Sequence, residues 1–267
     1  MKSHILSKAF ALLALAAAPA LADSSPMYEA PLTDDDQLSL ACVDVDFAYM
    51  TDLDGNLTVD NLYGGTITIG YTFNATKTSY HKLGLSVGVL YGDEKNSTSI
   101  CMGQDLVDFG YSASDFRMDA SEKFTQQIIP VVVEYSYHRA VTSDFSVSIG
   151  VRAGVNISKT SHDSLIFAGG KYWSDLYDFQ LSEYKDGDRM GSNELNHTRI
   201  APVFGVGCGV EYNISDNWKW NAGVDFDFSQ GLIRERNYQE INADLGSAVE
   251  SKDIITTTIH TGFSYSF

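Results

Sequence analysis

Residues 254–267 read IITTTIHTGFSYSF. From Ile255 onward every second position, through Thr257, Ile259, Thr261, Phe263 and Tyr265 to Phe267, is uncharged and mostly apolar or aromatic. The positions between them, Thr256, Thr258, His260, Gly262, Ser264 and Ser266, are small or polar. Successive side chains of a strand point to opposite faces, so this period of two predicts a long strand with one apolar and one polar face.

The same period recurs at 43–50, 66–74, 82–92, 128–138, 144–158, 199–213 and 218–229, which gives eight segments. Their apolar parity includes Val45 and Phe47, Ile67 and Tyr71, Leu85 and Val87, Val133 and Tyr135, Ile149 and Val151, Phe204 and Val206, and Trp220 and Phe226. No Asp, Glu, Lys, Arg or His stands on that parity in any segment. The opposite parity holds Asp44, Asp46, Glu134, Arg152, Glu211, Asp225, Asp227 and His260, together with Lys82, Arg199, Lys219 and many Gly and Ser residues. A soluble sandwich also alternates, but its strands usually run to about five or six residues. Several segments here are far longer. The links also alternate in length. Those after the second, fourth and sixth segments are short, whereas 51–65, 92–127, 159–198 and 229–253 are long. Long apolar-faced strands with alternating short and long links predict an antiparallel up-and-down transmembrane β-barrel, all-β, of eight strands. A hairpin from 159–198 entering the bilayer would raise the count to ten.

Composition agrees. The 267 residues carry 18 Lys+Arg against 35 Asp+Glu, a formal net charge of −17, which excludes a nucleic-acid partner that needs a basic face. The start of the chain reads as a signal peptide over 1–22. Lys2 and Lys8 precede an apolar run from Ala9 to Leu21, and Ala20-Leu21-Ala22 offers a cleavage site. Cleavage near Ala22 removes those two lysines and takes the charge from −17 to −19. Residues 23–37, with Pro26, Pro31 and Asp34-Asp35-Asp36, read as a flexible periplasmic lead-in, and 38–267 as the barrel unit.

With its signal peptide, eight segments and the aromatic row Phe263, Tyr265 and Phe267, the chain resembles the small outer-membrane β-barrel superfamily. That group includes the OmpA transmembrane domain, the OmpX/Ail proteins and the opacity-type proteins. The resemblance implies a Gram-negative outer membrane, contact with its lipid and lipopolysaccharide, and an insertion signal at Phe263, Tyr265 and Phe267 read by the barrel-assembly machinery. It implies a non-enzymatic envelope element whose long extracellular loops meet a host or surface ligand. The chain departs from the OmpA pattern in that no wall-binding domain is expected after Phe267. The lumen carboxylates keep a second reading open, a narrow porin for small solutes or cations.

The remaining motifs are weaker. His162-Asp163-Ser164 puts a His and a Ser two apart at the base of a loop, a feature that a lipid A-modifying enzyme would use, but no carboxylate partner is fixed. His260 near Ser264 reads as a core histidine. Asp52, Asp54, Gly55, Asn56 and Asp60 form an acidic turn with oxygen ligands spaced for Ca²⁺, read here as an ordinary loop. Cys42 and Cys101 fall on opposite sides of the membrane and Cys208 on the lipid parity, so no disulfide is expected. No cofactor or metal is expected. Tyr172, Trp173, Tyr177 and Phe179 crowd the third long loop as contact anchors or as the tip of a strand hairpin rising above the membrane.

Overall fold

The computed structural model describes residues 41–53, 57, 59–76, 78–101, 115–180, 182–234 and 251–267. The expected signal peptide and lead-in lie outside them. Eight antiparallel strands form one closed ring: β1 (Ala41–Asp52), β2 (Asn61–Phe73), β3 (Ser79–Cys101), β4 (Arg117–Ala140), β5 (Phe145–Gly169), β6 (Arg189–Asn213), β7 (Trp218–Arg234) and β8 (Ser251–Ser266). The ring closes between β1 and β8, where Val43 faces Tyr265 and Val45 faces Phe263. No described segment forms a ninth or tenth strand.

The register fixes the barrel's shape. Stepping across the ladder from Cys42 leads through Gly70, Gly84, Glu134, Arg152, Gly205, Asp227 and Thr256 and returns to β1 at Asp52, ten residues further on. An even offset keeps every side chain on its own face around the closure. For eight strands it corresponds to a tilt of roughly 40°.

The apolar parity points outward. Ile67, Ile69, Leu85, Ile149, Val151, Phe204, Val206 and Ile259 are all exposed, an arrangement that water would penalise and hydrocarbon favours. Aromatic rings border this band at both ends. Tyr49, Tyr63 and Tyr91 line up across β1, β2 and β3 at the end bearing the long links. Tyr71, Tyr135, Tyr212, Trp218 and Tyr265 stand near the end with the short turns. Tyr63 and Tyr71 are eight residues apart on β2, about 20 Å along the barrel axis at this tilt, close to the height of an outer-membrane apolar band.

Four strands are much longer than the alternation predicts. β3, β4, β5 and β6 continue beyond the ring as a four-stranded sheet, with Cys101 opposite Arg117 and Arg117 opposite Gly169. The segments 92–127 and 159–198, expected as loops, are therefore largely strand. β2 also starts earlier than expected, at Asn61, and β7 runs on to Arg234. Pairing of β6 with β7 stops at Val203, next to Pro202, which has no N–H to donate. The aromatic stretch of the third link is not a strand hairpin. It forms a helix, α1 (Lys171–Asp178), entered through Gly170 at φ 100°, a backbone conformation that favours glycine.

Candidate functional site

The structure brings the predicted inward charges together as two groups, apart from Arg199, which stands opposite Ser158 on β5. At the short-turn end, Lys82 donates to Asp44, and the Tyr80 hydroxyl donates to Glu211. Lys219 Nζ lies 3.4 Å from Glu211 Oε2 and 3.0 Å from the Tyr80 hydroxyl. His138 stacks on Tyr80 with ring centroids 4.4 Å apart. Its Nδ1 is 3.4 Å from Glu211 Oε1, and its Nε2 is 2.8 Å from Ser136 Oγ. Neither Tyr80 nor His138 was singled out from the sequence. Each stands opposite the other on adjacent strands, and their partner Glu211 arrives from a distant strand, so no local spacing announces the cluster.

In the second group Arg152 donates to Asp225, lies 3.6 Å from Glu134 and 3.4 Å from Asp227, and so gathers three carboxylates. His260 Nε2 is 3.5 Å from Asp225 Oδ2. Asp46 is buried on β1 beside this group, opposite Gly262 and Thr66. Charges held this far from bulk water need partners, and here one guanidinium is shared by three acids, while Asp46 Oδ1, Arg152 Nε and Asp227 Oδ1 make no hydrogen bond among the described residues. Between the two groups lies a cavity of about 120 Å³ bordered by Asp44, Glu134, Arg152 and His260. Its size and polarity suit ordered water.

Above the cavity the inward parity turns apolar, a feature the sequence reading missed. Ala48, Met50, Leu62, Leu90, Ile128, Ala201, Leu232 and Ile254 pack into one buried cluster, with every strand but β5 contributing. Leu57 and Val59 of the first link fold down into it, and Phe124 packs against it. The link is held there by its backbone: Leu57 N–H donates to Asp52 Oδ2 at 2.6 Å and Val59 N–H to Gln126 Oε1 at 3.3 Å. β5 instead supplies Asn156 and Ser158, bonded to Ser229 and Gln126. The lumen is therefore charged in one half and sealed by hydrocarbon in the other.

The calcium-like turn meets this arrangement at Asp52, whose carboxylate is buried and holds Leu57. Asp54, Gly55 and Asn56 lie outside the described residues. Among the described residues no group of three or more His, Cys, Asp or Glu side chains is placed to hold a metal. His162-Asp163-Ser164 sits within β5 rather than at a loop base. His162 stacks on Phe124 at 4.3 Å, and its Nε2 is 3.9 Å from Glu122 Oε1. Cys42 and Cys208 are free thiols, Cys42 buried on the inward side.

The sheet extension carries the aromatic anchors, and the structure divides them. Tyr172 and Trp173 pack on Phe116, with centroids 4.6 and 5.0 Å away, and Trp173 Nε1 donates to the Arg117 carbonyl at 3.0 Å. These two residues fasten α1 to the start of β4. Tyr177 and Phe179 remain exposed, Phe179 to 76%. On the strands below, Ser99 and Arg117 donate to Asp119, and these contacts hold its carboxyl below the usual carboxylate range. Phe263, Tyr265 and Phe267 flank one lipid-facing groove with Val43, Val45 and Trp218.

Comparison with known proteins gives the same architecture. The model of the outer membrane protein beta-barrel domain matches residues 9–267. Neisserial surface protein A is 10% identical and aligns over 86% of this chain and 97% of its own, with a TM-score of 0.38. The attachment invasion locus protein Ail of Yersinia pestis is 13% identical over 86% of this chain and 97% of its own, with a TM-score of 0.34. The outer membrane protease OmpT of Escherichia coli is 6% identical over 90% and 99%, with a TM-score of 0.32. No curated protein matches. A lipid-facing apolar surface, two aromatic borders and a closed ring thus coincide with a family match over nearly the whole length, and the chain belongs to the outer membrane protein beta-barrel family.

Proposed function

We propose that this barrel is an envelope element and surface-interaction platform whose extracellular part makes contacts without chemistry. The observation that carries this reading is the sheet extension of β3, β4, β5 and β6, capped by α1 and presenting Tyr177 and Phe179 to solvent. A rigid stalk that holds exposed aromatic side chains clear of the bilayer suits recognition, because large rings give contact area at little entropic cost. The ligand sits on a host or neighbouring surface. Below it, the outward face meets lipid and lipopolysaccharide, and the groove at Phe263, Tyr265 and Phe267 serves the insertion machinery. The apolar seal made by Met50, Leu62, Leu90, Ile128 and Ile254 speaks against the alternative of a standing pore.

The test is display on the outer membrane of a non-adherent Gram-negative host. Cells bearing the full chain are compared with cells bearing a chain whose residues 94–122 and 162–196 are replaced by short turns. Both forms should insert and migrate as heat-modifiable barrels. Adherence to cell monolayers should be lost with the shortened chain. Equal adherence by both forms would remove the extension from any contact role.

A further inference from the structure

Inside the barrel, three side chains stand in an order that supports chemistry. Ser136 Oγ is 2.8 Å from His138 Nε2, and His138 Nδ1 is 3.4 Å from Glu211 Oε1. Glu211 is in turn fixed by the Tyr80 hydroxyl and by Lys219. His138 Nδ1 makes no hydrogen bond among the described residues, but the nearby Glu211 carboxylate favours the tautomer with its proton on that nitrogen, which leaves Nε2 as the acceptor toward the serine. Stacking on Tyr80 holds the ring plane. His138 and Glu211 are both buried and border the same cavity, where water can reach the imidazole. Ser136 itself borders the 120 Å³ cavity. Lys82, the cross-strand partner of Ser136, borders the same cavity with its charge paired to Asp44.

We propose that Ser136, His138 and Glu211 form a serine-nucleophile site that accepts small acyl esters from within the lumen. This goes beyond the contact role of the extension and stands independently of it. It also departs from the sequence expectation of a barrel without catalysis. In the first step Ser136 Oγ forms a bond to the acyl carbon while its proton passes to His138 Nε2. The C–O bond to the alcohol breaks and the alcohol leaves with that proton. In the second step water gives a proton to Nε2 as its oxygen attacks the acyl carbon. The carboxylic acid departs, and the proton returns from Nε2 to Ser136 Oγ. Glu211 positions the imidazole and stabilises it while it is protonated.

The experiment uses the refolded full-length mature chain in detergent. A small alkyl fluorophosphonate, whose P–F bond is broken by a reactive serine with loss of fluoride, is followed by peptide mass mapping, and p-nitrophenyl acetate hydrolysis is measured in parallel. One adduct is expected, on Ser136, with other serines unlabelled. His138→Ala should slow labelling and hydrolysis by at least about a hundredfold, the usual scale for a lost general base. Glu211→Gln should slow both and shift their pH profile. A folded wild-type barrel that takes no label on Ser136 overturns the proposal, as does labelling that persists unchanged in a folded His138→Ala chain. Should the His138 and Glu211 variants fail to fold, the wild-type adduct and its competition by p-nitrophenyl acetate decide the matter.

Discussion

Among the described residues Arg152 is the cation that Asp225, Asp227 and Glu134 share, and only a small part of its side chain is exposed. Replacing it with methionine keeps the bulk but leaves three acids without their counter-charge. Removing one partner of a buried ionic group costs about 3–5 kcal/mol. Arg152→Met is therefore expected to lower urea stability in detergent refolding by that amount, whereas Asp227→Asn should cost less, because two carboxylates still face the guanidinium. Equal losses for the two would show that the group is not organised around Arg152. Lipid-facing positions test a different term. Ile67 lies midway between Tyr63 and Tyr71 on β2, so Ile67→Arg should destabilise the barrel in bilayers by about 2–4 kcal/mol, and Tyr71→Arg at the border by about 0–1 kcal/mol. A depth-independent result would argue that this face does not meet hydrocarbon. The charges of the lumen were legible from parity alone, because a strand sends alternate residues to opposite faces. Ser136 and His138 were not, since their meaning depends on Glu211, brought beside them only by closure of the ring.

At the scale of elements, the strands were legible where they cross the membrane and illegible above it. Contrast between the two faces depends on lipid on one side and a polar lumen on the other. In Asp93-Glu94-Lys95-Asn96-Ser97-Thr98-Ser99 of β3 both faces meet water, so the period of two fades although the ladder to β4 continues. The apolar seal was hidden for the converse reason. Near the end bearing the long links Ala48 and Met50 alternate with Phe47 and Tyr49, so both parities are apolar and the run resembles a border rather than a core. The extension also has its own acid sensitivity. Ser99 and Arg117 stabilise the charged form of Asp119, so its folded pKa lies below its unfolded value of 3.8. This contribution is fully present above that value and is lost as pH falls through the lowered folded one. Amide exchange in 97–101 and 117–121 should thus show protection relative to Asp119→Asn at pH 6, shrinking to none in strongly acidic buffer. Protection that is already equal at pH 6 would mean that the Ser99 and Arg117 contacts add nothing to the sheet.

For the whole molecule, the decisive contrast is between a charged lower lumen and a hydrocarbon seal over it. An ion leaving the cavity toward the outside must pass Ala48, Met50 and Leu90, which border it, and then Leu62, Ile128, Leu232 and Ile254. Each fully buried aliphatic side chain in that cluster favours the closed arrangement by roughly 1.5–3 kcal/mol over exposure to water. Strand residues cannot leave without breaking the ladder. Leu57 and Val59 are different, since they belong to the first link and are tied down chiefly through Asp52 and Gln126. The wild-type barrel in a planar bilayer is therefore expected to be silent at the single-channel level. A chain with Leu57→Asp and Val59→Asp should keep its heat-modifiable ring but lose the part of the seal that the link supplies, and rare brief openings that favour cations should follow, because Asp44, Asp46, Asp225 and Glu134 border the cavity. Steady wild-type conductance abolished by Glu134→Gln with Asp225→Asn would instead make the lumen a standing pore and reduce the seal to a packing detail. Silence in both chains would mean that the strand-borne side chains close the barrel unaided.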